Sequence, residues 1–393
     1  MKFFKSALLL GLLSLYSTTT FSQEFIQAYA DVVNQTTQEN VTANLTQFQS
    51  LGVKRRGTAA LQNTLNWLKA EYLSYGYTAS QLVEDPFSYS GFTCKNLVVT
   101  KIGTVHPDTF VIVCGHYDTI FGTGTNDNGS GTSIMLEIAR LLKDIPTEYS
   151  IRFIHFAGEE DGLRGSQHYV NNVVNATTPK MDIRLVFNID TVGGIAGENN
   201  DTITCDVDQS TPTSNNAASA IITDELATCV GLYSPLNTFI NFAEASDYIP
   251  FENNNEVITG FYETNISPFC HTSQDNLNNL DQVYVFNVCK ASIGATMHFA
   301  IASTLSTSEF NEDFQVSFFP NPAKDVLHIN KGVLTDSNYT FSLVDIQGKT
   351  VLTQEFENTD LVEQINVSSV AKGMYLGVLE TSTTAITKKI VVQ

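Results

Sequence analysis

Side chains that can bind a metal or transfer a proton follow several apolar runs of this sequence. The runs are 110–114, 151–156, 183–189 and one near 256–262. In an open α/β sheet, ligands bind beyond the carboxyl ends of the strands. If these runs are strands, the residues that follow them should therefore meet at one edge of the sheet: His116, Glu159, Glu160, Asp190 and His271.

Two imidazoles with several carboxylates are a ligand set for zinc or a related divalent metal. Calcium prefers oxygen-only coordination, so the histidines argue against it. One metal needs three or four ligands and more are available here, so we expect two metals that share one carboxylate. We assign Asp127 as the bridge because it lies in the glycine-rich segment 124–131, where the backbone can approach the metals closely. The other ligands then divide into two pairs, one on each metal: His116 with Asp190, and Glu160 with His271.

The adjacent acids Glu159 and Glu160 are expected to have different tasks. Neighbouring side chains on an extended chain point to different sides, so Glu160 can bind a metal while Glu159 faces a water held between the metals. Glu159 would accept the water's proton as a general base and return it to the leaving amine. The metals would polarise the carbonyl and lower the pKa of the water. Asp118 would accept the second ring N–H of His116 and fix its tautomer.

Each of these signals also has a simpler interpretation. A Glu-Glu pair is commonly a solvated loop, and Asp127 among glycines and asparagines could be only a turn. The segment 124–131 resembles a phosphate-binding loop weakly, because it contains no Gly-Lys-Ser/Thr sequence. The shared position at strand ends is what favours a common site. The remaining histidines are expected to be surface or core residues: His106, His155, His168, His298 and His328.

The elements that would position the site alternate between helix and strand from residue 23 to about 307. Apolar residues recur at helical spacing within 61–72 and 134–142, with Gly76 and Pro146 after them as stops. The apolar runs between them, including 96–100, have the continuous character of strands covered on both faces. This alternation predicts an α/β domain in which helices cover both sides of a mostly parallel sheet.

The pattern of apolar residues changes toward the C-terminal end of the sequence. Residues 308–313 are polar and are interpreted as a linker. Residues 314–393 contain short strand-like runs separated by turn residues, without a helical period, which predicts a small all-β sandwich. The six runs are 315–319, 326–329, 339–345, 351–356, 375–380 and 386–392.

The first 22 residues have the layout of a secretory signal peptide. Two lysines precede a short apolar stretch, and small residues come before Gln23. That stretch is too short to span a bilayer, and no other segment is long enough, so we expect an exported protein without a membrane span. A formal net charge of −20 disfavours nucleic-acid binding. Six cysteines permit disulfides in an exported chain, although Cys114 within its apolar run is expected to be buried.

Six segments resemble, in chain order, the motifs of the M28 zinc-dependent aminopeptidases. The resemblance covers roughly residues 50–305 and implies a three-layer α/β/α, phosphorylase/hydrolase-like fold for the peptidase domain 23–307. It also implies two zinc ions, Glu159 as the base and Asp118 as a partner of a ligand. The ligands it implies are His116, Asp127, Glu160, Asp190 and His271. The segments are GHYDT at 115–119, GTNDNGSG at 124–131, AGEEDGLRGS at 157–166, NIDTVG at 188–193, SDYIPFE at 246–252 and HTSQD at 271–275.

Residues 314–393 resemble the C-terminal sorting domain of the type IX secretion system. The resemblance implies that the type IX machinery exports the chain across an outer membrane, to the cell surface or the medium. The simpler alternative is an ordinary adhesive β-sandwich. The segments that carry the likeness are PNPAKD at 320–325, VDIQGK at 344–349, GMY at 373–375 and KKIVV at 388–392.

The predicted function is that of an exported di-zinc aminopeptidase acting on peptides with a free amino terminus. One departure is that Asn126 and Asn128 flank Asp127 where many relatives have acids, which lowers the negative charge of the site. Two alternatives keep the fold, namely a zinc carboxypeptidase and a glutaminyl cyclase-like activity. A third alternative is a surface or adhesion protein with a degenerate peptidase domain.

Overall fold

A computed structural model describes residues 24–303, 316–330, 338–345, 348–357, 362–381 and 385–393. The predicted signal peptide 1–22 and linker 308–313 lie outside the described residues. The chain divides into two compact units, with the boundary between Thr304 and Leu305.

An eight-stranded mixed sheet forms the centre of the first unit, in the order β1-β2-β4-β3-β5-β8-β6-β7. Four of the seven neighbouring pairs are parallel, and they include the three pairs that join the central strands β4, β3, β5 and β8. The strands predicted at the site are therefore the parallel centre of the sheet. The strands are β1 Leu82–Tyr89, β2 Phe92–Lys101, β3 His106–His116, β4 Tyr149–Phe156, β5 Asp182–Ile189, β6 Thr202–Val207, β7 Asn237–Phe242 and β8 Ile258–Glu263.

In the described part of the first unit, eight α-helices accompany this sheet. Helix α3 follows the predicted pattern: the Thr58 hydroxyl caps its first turn by accepting the Leu61 N–H, and Leu61, Leu65 and Leu68 are buried. A short π-helical segment at 170–174 continues α5. The helices are α1 Gln27–Val33, α2 Gln38–Ser50, α3 Ala59–Ser74, α4 Gly129–Leu142, α5 Arg164–Tyr169, α6 Asn216–Tyr233, α7 Ile249–Glu252 and α8 Gln282–Ala300.

The two faces of the sheet carry separate hydrophobic cores. On β3, Val111 and Val113 belong to one core, whereas Ile112 and Cys114 belong to the other, because successive strand residues point to opposite faces. The larger core includes residues of α2, α3, α4 and α8, and the smaller one includes residues of α5 and α7. The predicted three-layer α/β/α arrangement is confirmed.

Two antiparallel sheets make up the second unit, in the orders β13-β10-β9 and β12-β11-β14-β15. Both sheets contribute to one apolar core, as expected of a sandwich. All six predicted strands are present, and Val362–Asn366 is a seventh whose polar pattern gave no strand signal. The strands are β9 Ser317–Phe319, β10 Val326–Asn330, β11 Asn338–Val344, β12 Thr350–Glu357, β13 Val362–Asn366, β14 Gly373–Glu380 and β15 Ala385–Val392.

Two further expectations from the sequence concern the state of the cysteines and the presence of a membrane span. All six cysteines lie among the described residues and each is a free thiol. Cys114 is fully buried, as predicted. Among the described residues, every helix is too short or too polar to cross a bilayer.

Candidate active site

The predicted site residues lie at the carboxyl ends of the central parallel strands. His116 is the last residue of β3, and Asp190 comes directly after β5. Glu159 and Glu160 follow β4, and His271 lies in the loop after β8. Since the carboxyl ends of parallel strands meet at one sheet edge, these residues converge although up to 155 positions separate them in the chain.

Asp127 lies between the two histidines, in the loop that leads into α4. Its Oδ1 is 3.1 Å from Nε2 of His116, and its Oδ2 is 3.0 Å from Nε2 of His271. The two oxygens of one carboxylate therefore face two different imidazoles. This is the arrangement that a carboxylate shared by two metals requires.

One further carboxylate accompanies each histidine. Asp190 Oδ1 is 3.3 Å from Nε2 of His116, and Glu160 Oε2 is 3.0 Å from Nε2 of His271. The ligand atoms form two groups, each within 4.8 Å, that share Asp127. The structure thus brings together all five predicted ligands and divides them into the two predicted sets.

Glu159 lies beside the first of these groups. Its Oε2 is 3.9 Å from Nε2 of His116, farther than the carboxylates of Asp127 and Asp190. Its neighbour Glu160 turns toward His271 instead. The two adjacent acids therefore face different parts of the site.

Burial and mutual repulsion perturb the carboxyl groups strongly. Burial raises the pKa of Glu159 well above its usual range, and burial together with the charge of Asp127 raises the pKa of Glu160 to about 8. Burial would also raise the pKa of Asp127, but the contacts from His116 and His271 outweigh it and hold that pKa below the usual value. The hydrogen bond to Asp127 raises the pKa of His271 to about 9. Such a concentration of carboxylates calls for cations.

The chemistry of the donor set fits a metal of the zinc type. His116 is 1% exposed, and its Nε2 makes no hydrogen bond although carboxylate oxygens surround it. An unpartnered ring nitrogen among carboxylates is a ligand atom directed at a cation. Mixed nitrogen and oxygen donors suit zinc and related transition metals better than calcium or magnesium.

Asp118 supports two residues of the site. Nδ1 of His116 lies 3.1 Å from the backbone carbonyl of Asp118 and 3.7 Å from its carboxylate. The carboxylate also accepts the backbone N–H of Glu159 at 3.2 Å. The second ring nitrogen of His116 thus faces Asp118, but the hydrogen-bond partner is the main-chain oxygen and not the carboxylate. The carboxylate orients Glu159.

Two supporting residues were missed by sequence reasoning. Asp275 accepts the backbone N–H of Asn126 at 2.7 Å and that of Asp127 at 3.0 Å, so its carboxylate holds the bridging residue in place. The hydroxyl of Ser246 donates to Asp190 Oδ2 at 2.5 Å. Both residues lie inside segments already recognised, HTSQD and SDYIPFE, but the type and position of a residue do not identify its partner.

Asn126 forms specific hydrogen bonds beside Asp127. Its amide donates to the carboxylate of Glu263 at 2.9 Å and its oxygen accepts the Gly193 N–H at 2.6 Å. Glu263 is 1% exposed. An aspartate at position 126 would place a second buried charge against Glu263, so the amide suits this environment.

Asn128 ties the same loop to the end of β5. Its amide donates to the carbonyl of Ile189 at 2.8 Å, and its oxygen caps α4 by accepting the Gly131 N–H at 2.9 Å. A Cβ atom on Gly131 would lie 2.1 Å from the Ile189 carbonyl oxygen. Here the glycine permits close packing of the helix on the strand rather than an approach of the backbone to metals.

Comparison with known proteins adds two domain assignments. Residues 96–293 match the model of peptidase family M28, and residues 317–393 match that of the secretion system C-terminal sorting domain. Aminopeptidase YwaD of Bacillus subtilis is 35% identical over 207 residues, which are 50% of this chain and 42% of YwaD. The chain therefore spans less than half of this relative's length.

Two solved structures illustrate the fold. A zinc aminopeptidase from Bacillus subtilis aligns with a TM-score of 0.54 at 17% identity, over 68% of this chain and 95% of its own. A glutaminyl cyclase from Macrostomum lignano aligns with a TM-score of 0.62 at 14% identity, over 73% and 98%. At such identities the likeness concerns the fold alone. Two different activities thus share the architecture of the first unit.

Proposed function

We propose that this chain, which belongs to peptidase family M28, is an exported di-zinc aminopeptidase that hydrolyses the first peptide bond of peptides. The observation that carries the proposal is the position of Asp127, whose two carboxylate oxygens face His116 and His271 at 3.1 and 3.0 Å. The names of the relatives, an aminopeptidase and a zinc aminopeptidase, support the choice of reaction and metal.

Five residues would hold the metals. Asp127 is shared, and the other ligands divide as the two groups of the structure divide. When bound, zinc supplies a Lewis acid for the substrate carbonyl and lowers the pKa of a water molecule. The ligand pairs that Asp127 joins are His116 with Asp190, and Glu160 with His271.

Glu159 would transfer the protons of the reaction. Burial favours its protonated form, so its carboxylate is a stronger base than an exposed glutamate. It takes a proton from the attacking water and delivers that proton to the nitrogen of the leaving amine. The hydrogen bond from its own N–H to Asp118 holds its backbone during both transfers.

The pairing of Arg56 beside the site argues against recognition of the carboxyl end of a peptide. Four carboxylates surround the two histidines, and two divalent ions would neutralise them, so the net charge of the loaded site does not select between the two ends of a peptide. A carboxypeptidase needs a free cation to bind the terminal carboxylate. The nearby guanidinium of Arg56 is already paired with Asp161.

The C-terminal unit would supply the route of export. The match of residues 317–393 to a secretion sorting domain supports delivery by the type IX machinery to the surface or the medium. The N-terminal signal peptide predicted over residues 1–22 would bring the chain to that machinery. After export, the mature protein would be either released into the medium or attached to the cell surface.

The decisive experiment compares matched peptides on purified mature protein of known zinc content. A peptide with a free amino terminus should be shortened from that end, and its N-acetylated form should resist. Two zinc ions per chain are expected, and chelation should abolish cleavage. Shortening from the carboxyl end, or loss of ammonia from N-terminal glutamine without cleavage, would contradict the proposal and favour one of the other two activities. Zinc binding without turnover on any peptide would contradict it as well.

A further inference from the structure

A second pair of buried acids lies outside the proposed zinc site. Asp208 directly follows β6, and Glu252 is the last residue of α7. They are 1% and 2% exposed. The backbone N–H of Ser210 donates to Asp208 Oδ1 at 2.9 Å, and the Ser210 hydroxyl donates to Glu252 Oε1. One serine therefore holds the two carboxylates close together.

Several buried oxygens of this cluster have no donor. Asp208 Oδ2 and Glu252 Oε2 are buried and receive no hydrogen bond from another residue, although the two carboxyl groups can share a proton. Oδ1 of Asn215 is also buried and unpartnered, and its amide nitrogen donates to the backbone carbonyls of Glu256 at 2.7 Å and Glu252 at 3.4 Å, which places this side chain at the end of α7. Three buried acceptors without a donor are costly unless a shared proton or a cation satisfies them.

The neighbouring Glu256 differs from the pair of Asp208 and Glu252 because it has a basic partner. It is 5% exposed, but it forms an ion pair with Lys180. Within the part of the chain that the structure describes, none of the ion pairs includes Asp208 or Glu252. Two buried carboxylates without a basic partner must share a proton or bind a cation.

The titration of Glu252 is consistent with this conclusion. Burial raises the pKa of Glu252 to about 7; the neighbouring carboxyl group of Asp208 acts in the same direction, and the hydrogen bond from Ser210 acts against it. A cation between the two groups would reverse this effect, because it favours both ionised forms.

We propose that Asp208 and Glu252, together with the amide oxygen of Asn215, bind one calcium ion. The cluster offers carboxylate, amide and hydroxyl oxygens and contains neither a histidine nor a cysteine. Oxygen-only donors are the ligands of calcium, whereas zinc in proteins is bound mainly by nitrogen and sulfur. Water completes the six to eight positions that calcium takes. The ion ties the loop after β6 to α7 and thereby stabilises the first unit.

The test uses the full zinc-loaded protein, dialysed free of calcium. Calcium chloride is titrated by calorimetry, and the melting temperature is measured with and without it. The double variant Asp208→Asn/Glu252→Gln removes both charges at little cost in volume. Asp224→Asn, an exposed carboxylate on α6, is the matched control. Zinc content and peptide cleavage are measured in parallel, so failure of this site is distinguished from failure of the zinc site.

The wild type and Asp224→Asn should each bind one calcium ion and melt at a higher temperature when calcium is present. The double variant should show neither effect and should retain its zinc. Should it not fold, the single variant Glu252→Gln is used instead, with calcium affinity lowered on the order of tenfold or more. An absence of calcium binding by the wild type would overturn the proposal. So would calcium binding that the substitutions leave unchanged.

Discussion

Two buried groups of acids in the first unit differ in whether imidazole nitrogens lie beside the carboxylates. In the zinc-type site, the imidazoles of His116 and His271 lie within 3.3 Å of carboxylate oxygens. In the cluster of Asp208 and Glu252, the neighbours are oxygens and a backbone N–H. We therefore expect the two groups to select different metals, because nitrogen donors suit zinc and oxygen donors alone suit calcium.

The two groups also differ in how the backbone supports them. Asp275 clamps the N–H groups of Asn126 and Asp127, so the bridging residue is held from a second loop. At the other cluster, Ser210 donates to both acids. A site that is clamped from a second loop suits chemistry that needs fixed geometry.

The largest effect is expected from Asp127→Ala, which removes the carboxylate shared by both proposed metals. Zinc and peptide cleavage should be lost together, because neither histidine then keeps a full ligand set. Zinc content by atomic absorption and the rate of cleavage measure both losses in one preparation. Asp208→Asn is the control from the other cluster and should leave both values unchanged. If Asp127→Ala still held two zinc ions, its assignment as the bridge would be wrong.

Glu159→Gln should separate proton transfer from metal binding. The amide cannot accept the proton of the attacking water, so kcat should fall by about 10²–10⁴-fold. Zinc content should remain near that of the wild type, since Glu159 lies 3.9 Å from His116 and is not one of the ligands. Retained kcat would remove Glu159 as the base, whereas loss of zinc would make it a ligand.

Asp275→Asn should have an intermediate effect that acts through Asp127. An amide can accept one backbone N–H but presents its own N–H₂ group to the other, so the bridge shifts. Zinc affinity should fall about 10–100-fold, as is typical when a group supporting a ligand is changed. Competition with a zinc indicator measures this affinity.

Asp281→Asn is the matched control for that change. Asp281 also accepts two backbone N–H groups, those of Val283 and Tyr284, but it does so at the start of α8. Asparagine caps helices as well as aspartate does, so zinc affinity and stability should stay near wild type. Equal losses of zinc affinity in both variants would mean that Asp275 has no particular link to the site.

The smallest effect is expected in the pH dependence of stability and arises from the cluster of Asp208 and Glu252. Without calcium, the pKa of Glu252 is raised to about 7 by burial and by Asp208, above its ordinary value of 4.5. The folded chain then binds more protons than the unfolded chain between these values, so this contribution to stability is lost as the pH rises toward 7. Lys180 compensates Glu256 nearby and not this pair.

Melting temperatures of the wild type and Glu252→Gln, measured from pH 5 to 7, test this effect. In calcium-free buffer the wild type should lose a few degrees relative to the variant as the pH rises. Calcium should abolish the loss, since the ion favours the carboxylate. A difference that does not change with pH would contradict the shared environment of Asp208 and Glu252. Zinc loss at low pH affects both proteins, so it cancels in the difference between their melting temperatures.

The sequence by itself determined the elements and the chemical types at their ends. Hydrophobic periodicity is local, so the alternation of helix and strand, the α/β class and the β-sandwich were all predictable. Histidines and acids placed directly after apolar runs indicated a zinc-type site, because strand ends meet at one sheet edge. The strand Val362–Asn366 was missed because its alternation is weak and its pairing with β10 is not local.

Only the tertiary structure decided which atoms face each other. The orientation of Asp127 between two histidines, the clamp by Asp275 and the pairing of Asp208 with Glu252 all join residues far apart in the chain. Such contacts depend on strand order and on side-chain packing, which no local pattern encodes. Burial then set the proton affinities, since the same carboxyl group titrates differently in water and in a core.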